Sequence, residues 1–239
     1  MCYHNTLKKT SMQIADYYEA SFEVDLWEEV YHANGFTHPF WPVIGQKNPR
    51  ELQMARWGLV PKKSLGSMDT QVTKHLNARC ETVFEKPSFR NAIRQHRCLV
   101  PSTGFIEWRT WYGAKIPYYV YLCRQDLFSI AGILEEHLDT DTGEVYLTMA
   151  LLTTPANRVM ETIHNTKKRM PLILPRDLEQ KWLDSTLSER EIKLCALPYQ
   201  DEEMQFHTIS KRVASNVDPF DKHILEQVSY PELSIQTLF

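Results

Sequence analysis

The chain of 239 residues is 43% hydrophobic and has a net charge of −3, which predicts one folded domain over residues 1–239, because no linker divides it. It contains no apolar leader and no run of about 18 apolar residues, and its five cysteines form no C-x-x-C pair. We therefore expect a reduced, cytoplasmic protein with no disulfide, metal, other cofactor or membrane span.

The first functional candidate is the dipeptide Met1-Cys2. Removal of the initiator methionine leaves Cys2 with a free α-amine and a thiol on neighbouring carbons. The amine titrates near pH ~7.7 to 8.0 and the thiol near ~8.5, so both are partly nucleophilic at neutral pH. An aldehyde reacts with the amine to give an imine, which the thiolate closes to a five-membered thiazolidine. A cysteine at position 2 also occurs without any such role.

Thr10 and Ser11 begin a short amphipathic helix that is expected to run to about residue 20. Residues 30–44 are rich in aromatics and prolines, which predicts extended segments and turns. Pro39 belongs there to an apolar run that either packs in the core or wedges against unstacked bases. Residues 55–61 predict a short strand, in which Trp57 packs or stacks.

Asn77 and Arg79 alternate with apolar neighbours, so both project from one face of an extended chain. An amide beside a guanidinium suits a sugar and a phosphate, and a solvated loop pair is the alternative.

A helix is predicted from Pro87 and Ser88 through residue 97. Its basic side chains contact phosphates or form a solvated face; they are Arg90, Arg94 and Arg97.

Glu107 follows a Pro-Ser-Thr-Gly turn and lies between Ile106 and Trp108 in a predicted strand. Burial would raise the pKa of its carboxyl group and suit it to general acid or base catalysis. A surface position on an edge strand is the alternative.

Three strands over 118–123, 127–134 and 145–153 predict an antiparallel meander. Thr154 and Pro155 then begin a helix that ends near His164. At a helix C-terminus the dipole favours the imidazolium, which would raise the pKa of His164 and suit it to act as an acid. Capping without chemistry is the alternative. Residues 169–174 predict a buried strand, and helices over 177–185 and after Ser188 follow.

Five motifs in this order resemble the SOS response-associated peptidase (SRAP) family, and they span most of the chain. They are Cys2, the Trp-Gly-Leu-Val-Pro run at 57–61, Asn-Ala-Arg-Cys-Glu at 77–81, residues 97–108, and Arg-Met-Pro at 169–171.

The resemblance implies an α+β fold, a single domain with a β-barrel-like antiparallel core flanked by short helices. It also implies covalent capture of abasic sites in single-stranded DNA through the N-terminal cysteine, and autocatalytic cleavage between Met1 and Cys2. The catalytic residues implied by motif match are Cys2, Asn77, Glu107 and His164. The DNA contacts we predict are Arg79, by motif match, and Trp57, Pro39, Arg90 and Arg94, from the patterns above.

This sequence departs from the family pattern in three places. Tyr3 and His4 replace a usual glycine and arginine, and Ile106 replaces a usual tyrosine. The family histidine commonly lies two residues before Arg-Met-Pro, so His164 requires a three-residue insertion before Arg169.

The sequence therefore predicts a DNA-associated protein whose partner is single-stranded DNA containing abasic sites, with no obligate protein partner. Two alternatives stay open: a cysteine peptidase that cleaves other proteins, and a non-covalent reader of single-stranded DNA.

Overall fold

The computed structural model describes residues 2–22, 27–62, 64, 66–68, 72, 75–215 and 217–233. Within these ranges the strands are β1 (His4–Leu7), β2 (Val30–Asn34), β3 (Phe40–Gly45), β4 (Leu52–Trp57), β5 (Asn77–Arg79), β6 (Arg97–Ser102), β7 (Gly104–Trp111), β8 (Ala114–Leu122), β9 (Phe128–Leu138), β10 (Val145–Pro155), β11 (Arg169–Pro171), β12 (Ile173–Leu174) and β13 (Met204–Thr208). The α-helices there are α1 (Ser11–Tyr18), α2 (Ala92–Gln95), α3 (Arg158–Ile163), α4 (Arg176–Leu183) and α5 (Glu189–Cys195). None of these described helices is long and apolar enough to cross a membrane.

Five strands close into a barrel in the order β3, β4, β10, β9 and β6, and β6 pairs with β3 again. The predicted α+β fold with a barrel-like core is therefore confirmed. The pairing of β4 with β10 is parallel, whereas the other four pairings are antiparallel. The wall is tightly packed, since a Cβ atom on Gly132 would lie 2.7 Å from Sγ of Cys98 on the neighbouring strand.

A second sheet, in the order β13-β8-β7-β1-β2, holds the N-terminal segment beside the strand that carries Glu107. Strand β1 pairs antiparallel with β7, with Asn5 opposite Phe105. Extended by two residues, this register brings Tyr3 opposite Glu107. The sheet thereby places Cys2 next to the predicted proton-transfer residue.

The predicted helix over residues 87–97 is wrong, because only Ala92–Gln95 is helical and Arg97 begins β6. Arg97 is 0% exposed, and its guanidinium donates to the carbonyls of Trp182, Ile93 and Arg94 at 2.8, 2.9 and 2.9 Å. These bonds satisfy a buried charge inside the fold. Arg97 therefore belongs to the core, and no basic ridge forms with it.

The predicted meander is half correct. Strands β9 and β10 form a hairpin, but β8 pairs with β7 and β13 in the second sheet. The cause is the two-residue turn between β7 and β8, in which Tyr112 and Gly113 have φ of 44° and 82°. Two positive φ values define the turn type that matches the twist of a tight hairpin. Strand β8 therefore folds back on β7.

The helix before His164 begins later than predicted. Pro155 is the last residue of β10, and Asn157 caps α3 by accepting from the Met160 amide at 2.9 Å. By contrast, the N-terminus of α1 is confirmed, because Thr10 and Gln13 form a capping box. Ser188 and Glu191 form a second capping box, at the N-terminus of α5.

Gly104, the first residue of β7, leaves space for the Tyr119 ring. A Cβ atom at Gly104 would lie 2.4 Å from that ring. We therefore expect Gly104→Ala to lower the free energy of unfolding by about 1–3 kcal/mol through overpacking, as measured by urea denaturation.

Gly113→Ala is the matched control, because Gly113 also has a positive φ but nothing lies within 4 Å of its Cβ position. It retains only the backbone cost of about 1 kcal/mol. Equal losses of stability in the two variants would show that the tyrosine contact does not shape the start of β7.

Candidate active site

Three of the four predicted catalytic side chains meet in the structure. The Cys2 thiol is hydrogen-bonded to the Glu107 carboxyl group, and His164 Nδ1 lies 3.7 Å from Glu107 Oε1. All three residues are buried, with exposed fractions of 1%, 3% and 6%. Residues from the start of the chain, from β7 and from the end of α3 thus form one cluster. We call Cys2, Glu107 and His164 the thiol cluster.

Of the two positions that the sequence left open for Glu107, the structure shows the buried one. Burial raises the pKa of its carboxyl group to about 7, although the hydrogen bonds from the Cys2 thiol and the Trp108 backbone act in the opposite direction. Near neutral pH this carboxyl group is therefore present in both its acid and its carboxylate forms. Such a group can donate a proton in one step and accept one in the next.

The Cys2 thiol differs from a thiol in solution. Burial, followed by the charge of Glu107, raises its pKa well above the ordinary value. The thiol is therefore protonated at neutral pH in this conformation, and its reaction as a nucleophile requires a base. Glu107 is in contact with it and is suited to accept that proton.

His164 contradicts the prediction from the helix dipole. Its pKa is lowered to about 4, mainly by burial and further by the nearby charges of Lys167 and Arg169. Nδ1 lies 2.9 Å from the Arg169 carbonyl oxygen, which can only accept, so Nδ1 carries the proton. Nε2 is then the basic nitrogen. At neutral pH His164 is a neutral imidazole suited to accept a proton.

Asn77 lies at the start of β5, whose partner is β10. Both polar atoms of its side chain are buried and have no hydrogen-bond partner among the residues that the structure describes. A buried amide in this state is suited to bind a ligand. Arg79, on the same face of β5, is exposed and interacts electrostatically with Tyr3, which follows Cys2. Arg79 on this face of β5 therefore lies near the N-terminal segment that carries Cys2.

The other predicted DNA contacts differ from one another in exposure and in the residues they contact. Arg94 forms an ion pair with Glu189 at 2.9 Å and donates to the backbone carbonyl of Arg90. Arg90 itself is exposed. Pro39 is half-buried and lines a separate cavity of about 560 Å³. Trp57 is 1% exposed and donates to the Leu76 carbonyl at 2.9 Å. Its buried position does not fit the prediction that it stacks on a base.

The thiol cluster opens into a cleft of about 570 Å³ that the sequence analysis did not identify. Tyr3, Phe36 and Trp108 are the aromatic residues of its lining. Phe36 is 58% exposed and packs against Tyr3 with ring centroids 4.5 Å apart. The sequence signal for this surface was an aromatic residue in a Gly-Phe-Thr turn, a pattern too common to single out.

His4 occupies a position where an arginine is usual in proteins with these motifs. Its Nδ1 lies 2.8 Å from Nε2 of His32, and burial, together with the charge of His32, lowers the pKa of His4 to about 3. His4 is therefore neutral and turned toward another side chain. It supplies no positive charge to the cleft.

Met1 lies outside the described residues, so the bond predicted to be cleaved is not described by the structure. Within the described ranges, no group of three or more histidine, cysteine or acidic side chains is arranged to bind a metal ion.

The cluster thus brings together a cysteine thiol, a buried carboxyl group and a buried imidazole, which are the side-chain types of a nucleophile and of proton-transfer groups. The chain belongs to the SOS response associated peptidase (SRAP) family, whose model matches residues 1–216. It is 35% identical over 176 residues to the abasic site processing protein YoqW of Bacillus subtilis, covering 72% of this chain and 75% of that protein. Over 188 residues it is 30% identical to the abasic site processing protein HMCES of Gallus gallus, covering 70% of this chain and 54% of that protein.

The fold also agrees with solved structures. A crystal structure of a protein from Bacteroides thetaiotaomicron matches with a TM-score of 0.90 and 39% identity, covering 95% of this chain and 100% of that one. A protein from Bordetella bronchiseptica, at 22% identity, shares the fold with a TM-score of 0.76 and covers 87% of this chain and 100% of its own.

Proposed function

We propose that this protein captures abasic sites in single-stranded DNA as a thiazolidine on Cys2 and that it removes Met1 itself. The observation that carries the proposal is the buried contact of the Cys2 thiol with Glu107, next to His164. Relatives named abasic site processing proteins support the same substrate.

The first step is the opening of the sugar, because an abasic deoxyribose is mainly a closed hemiacetal. Glu107 in its acid form protonates the ring oxygen, while His164 accepts the proton of the anomeric hydroxyl group. The buried Asn77 amide, which has no partner within the described structure, holds a sugar hydroxyl. These transfers produce the free aldehyde.

The second step forms the covalent bond. The Cys2 amine attacks the aldehyde, and His164 returns the proton it accepted to the hydroxyl group of the resulting carbinolamine, which leaves as water and gives a protonated imine. The Glu107 carboxylate then takes the thiol proton, and the thiolate adds to the imine carbon to close the ring. The thiolate neutralises the protonated imine, so the ring nitrogen keeps its hydrogen, and the thiol proton restores the acid form of Glu107. One molecule of water is released for each adduct.

Removal of Met1 is the prerequisite, because an amide nitrogen is delocalised into its peptide bond and forms no imine. We propose that Cys2 cleaves the Met1–Cys2 peptide bond as the nucleophile, and that Glu107 transfers protons in this reaction as it does in thiazolidine formation. Flanking bases would lie on the exposed ring of Phe36 and on Tyr3, in place of the buried Trp57.

A denaturing gel with an abasic single-stranded oligonucleotide separates this proposal from its alternatives. Capture leaves a heat-stable adduct. A non-covalent reader shifts DNA only in native gels, and a cysteine peptidase acting in trans cleaves peptide substrates without any adduct.

Arg79→Ala should weaken binding to intact single-stranded DNA. The exposed guanidinium beside Tyr3 is suited to one phosphate, so the slope of log affinity against log salt concentration should fall in magnitude by about 0.7. Fluorescence anisotropy across a salt series measures this slope.

Arg124→Ala is the control, because Arg124 follows the end of β8 that is remote from the cleft and its side chain is 79% exposed. We expect the wild-type slope from it. The same slope in Arg79→Ala would remove Arg79 from the phosphate contacts.

A further inference from the structure

The segment between His164 and Arg169 is anchored to the strand that carries Glu107. The Asn165 side chain accepts from the Thr110 amide at 3.0 Å and donates to the Thr110 carbonyl at 2.8 Å. The Lys168 amide closes the segment by donating to the His164 carbonyl at 2.8 Å. The segment is therefore fixed against β7 at Asn165, and its other end is tied back to His164.

This anchoring brings two lysines to one rim of the cleft. Lys115 of β8 stands directly opposite Thr110 in the β7–β8 pairing, and Lys167 lies two residues beyond Asn165. Both lysines line the cleft that contains Glu107 and are exposed. Thr110 is thus the common neighbour that places two ammonium groups beside the thiol cluster.

The charges on this rim are not neutralised within the described part of the chain, where neither lysine forms an ion pair with a carboxylate. The adjacent Lys168 shows the contrast, since it pairs with Glu161 at 3.7 Å. Glu107 is the only acidic residue of the described cleft lining, and it is buried. In a chain with a net charge of −3, this cleft presents positive charge to an incoming anion.

We propose that Lys115 and Lys167 form a phosphate clamp, which holds a phosphodiester next to the captured sugar of single-stranded DNA. The clamp rests on the proposed function. A sugar within a strand has a phosphate on each side. Arg79 lies on the Tyr3 side of the site, and the lysines lie on the Thr110 side. The clamp supplies the second contact, which the neutral His4 does not provide.

Phosphate binding at Lys167 also acts on His164. Burial is the main cause of the lowered pKa of His164, the charges of Lys167 and of Arg169 of β11 lower it further, and Glu107 of β7 faces the same ring. A phosphate on Lys167 neutralises the ammonium charge and raises the pKa of His164. The histidine thereby accepts the sugar proton more readily once DNA is in place.

The test compares the double variant Lys115→Ala/Lys167→Ala with Lys168→Ala, using an intact single-stranded oligonucleotide without an abasic site. The clamp predicts a slope of log affinity against log salt concentration that falls in magnitude by about 0.7 for one lost phosphate contact. Lys168→Ala should keep the wild-type slope, and Lys115→Arg/Lys167→Arg should restore it. A wild-type slope in the double alanine variant overturns the clamp.

A second readout separates a phosphate contact from a structural role. The pKa of His164, followed by NMR titration of the imidazole, should rise when the intact oligonucleotide binds wild-type protein. It should rise less in Lys167→Ala, and equal rises would contradict the clamp. Neither measurement requires an abasic site, so the two proposals can fail separately. A wild-type slope in the double alanine variant, together with normal adduct formation by the wild-type protein, rejects the clamp alone. A reduced slope in the double alanine variant, without any adduct in the wild-type protein, rejects the capture proposal alone.

Discussion

Cys2→Ala is expected to abolish the heat-stable adduct with abasic single-stranded DNA while leaving non-covalent binding nearly unchanged. The thiol closes the thiazolidine, whereas the phosphate contacts come from other residues. Because Cys2 is proposed to remove Met1, the Cys2→Ala chain is freed of Met1 by a methionine aminopeptidase, and its amine then still forms an imine, which is reversible. Borohydride should therefore trap an adduct in Cys2→Ala that is absent without the reductant. Denaturing gels with and without borohydride measure both outcomes.

Cys123→Ala is the matched control, because Cys123 is an exposed free cysteine. It should form the adduct at the wild-type rate. A heat-stable adduct in Cys2→Ala without reductant would mean that another nucleophile captures the aldehyde, and the mechanism would fail.

Glu107→Gln, once freed of Met1 by a methionine aminopeptidase, is expected to slow adduct formation by about 100-fold, at the lower end of the usual contribution of general acid–base catalysis. Glutamine keeps the size and the hydrogen bonding of the side chain but exchanges no proton. DNA affinity should stay unchanged, since the carboxyl group is buried. Single-turnover rates at saturating DNA measure the effect without interference from binding.

The rate of adduct formation should depend on pH in a direction that the pKa of Glu107 determines. Ring opening needs the acid form of Glu107, whose pKa is raised to about 7, so the wild-type rate should decline as pH rises above that value. The amine acts in the opposite direction, because it becomes nucleophilic as pH rises. Glu107→Gln should lose the declining limb and keep the rising one.

Glu135→Gln is the control for Glu107→Gln. Glu135 is also buried, with an exposed fraction of 4%, and lies 3.6 Å from a histidine, His96. It stands on β9 and is not part of the cleft lining. A similar loss of rate in both variants would indicate damage to the fold, and a declining limb that persists in Glu107→Gln would assign it to another group.

The residues of the site that could be predicted from sequence were those with a local signal. Glu107 lies between two large apolar residues, and of the two positions this pattern left open the structure shows the buried one, with the raised pKa expected for it. Asn77 and Arg79 alternate along an extended segment, and they do share one face of β5. In each case the chemistry depended on immediate neighbours in the chain.

The predictions that failed depended on distant partners. The basic stretch that contains Arg97 resembled a solvated helix, but carbonyl groups from Trp182 and α2 draw this guanidinium into the core. The helix dipole at His164 was outweighed by burial in the cluster with Glu107 of β7, which lies far from His164 in the sequence. The cleft joins β7, β8 and the segment after α3, so no single stretch of sequence indicated it.

The most direct test of the account is an intact-mass measurement of the adduct between the purified protein and an abasic single-stranded oligonucleotide, after denaturation and alkylation of free thiols. The account predicts a chain that begins at Cys2 and has gained the mass of the oligonucleotide less one molecule of water. It also predicts one fewer alkylated cysteine than in the free protein, because the thiazolidine consumes the Cys2 thiol. An adduct in which all five cysteines are alkylated, or one formed on a chain that retains Met1, would contradict it.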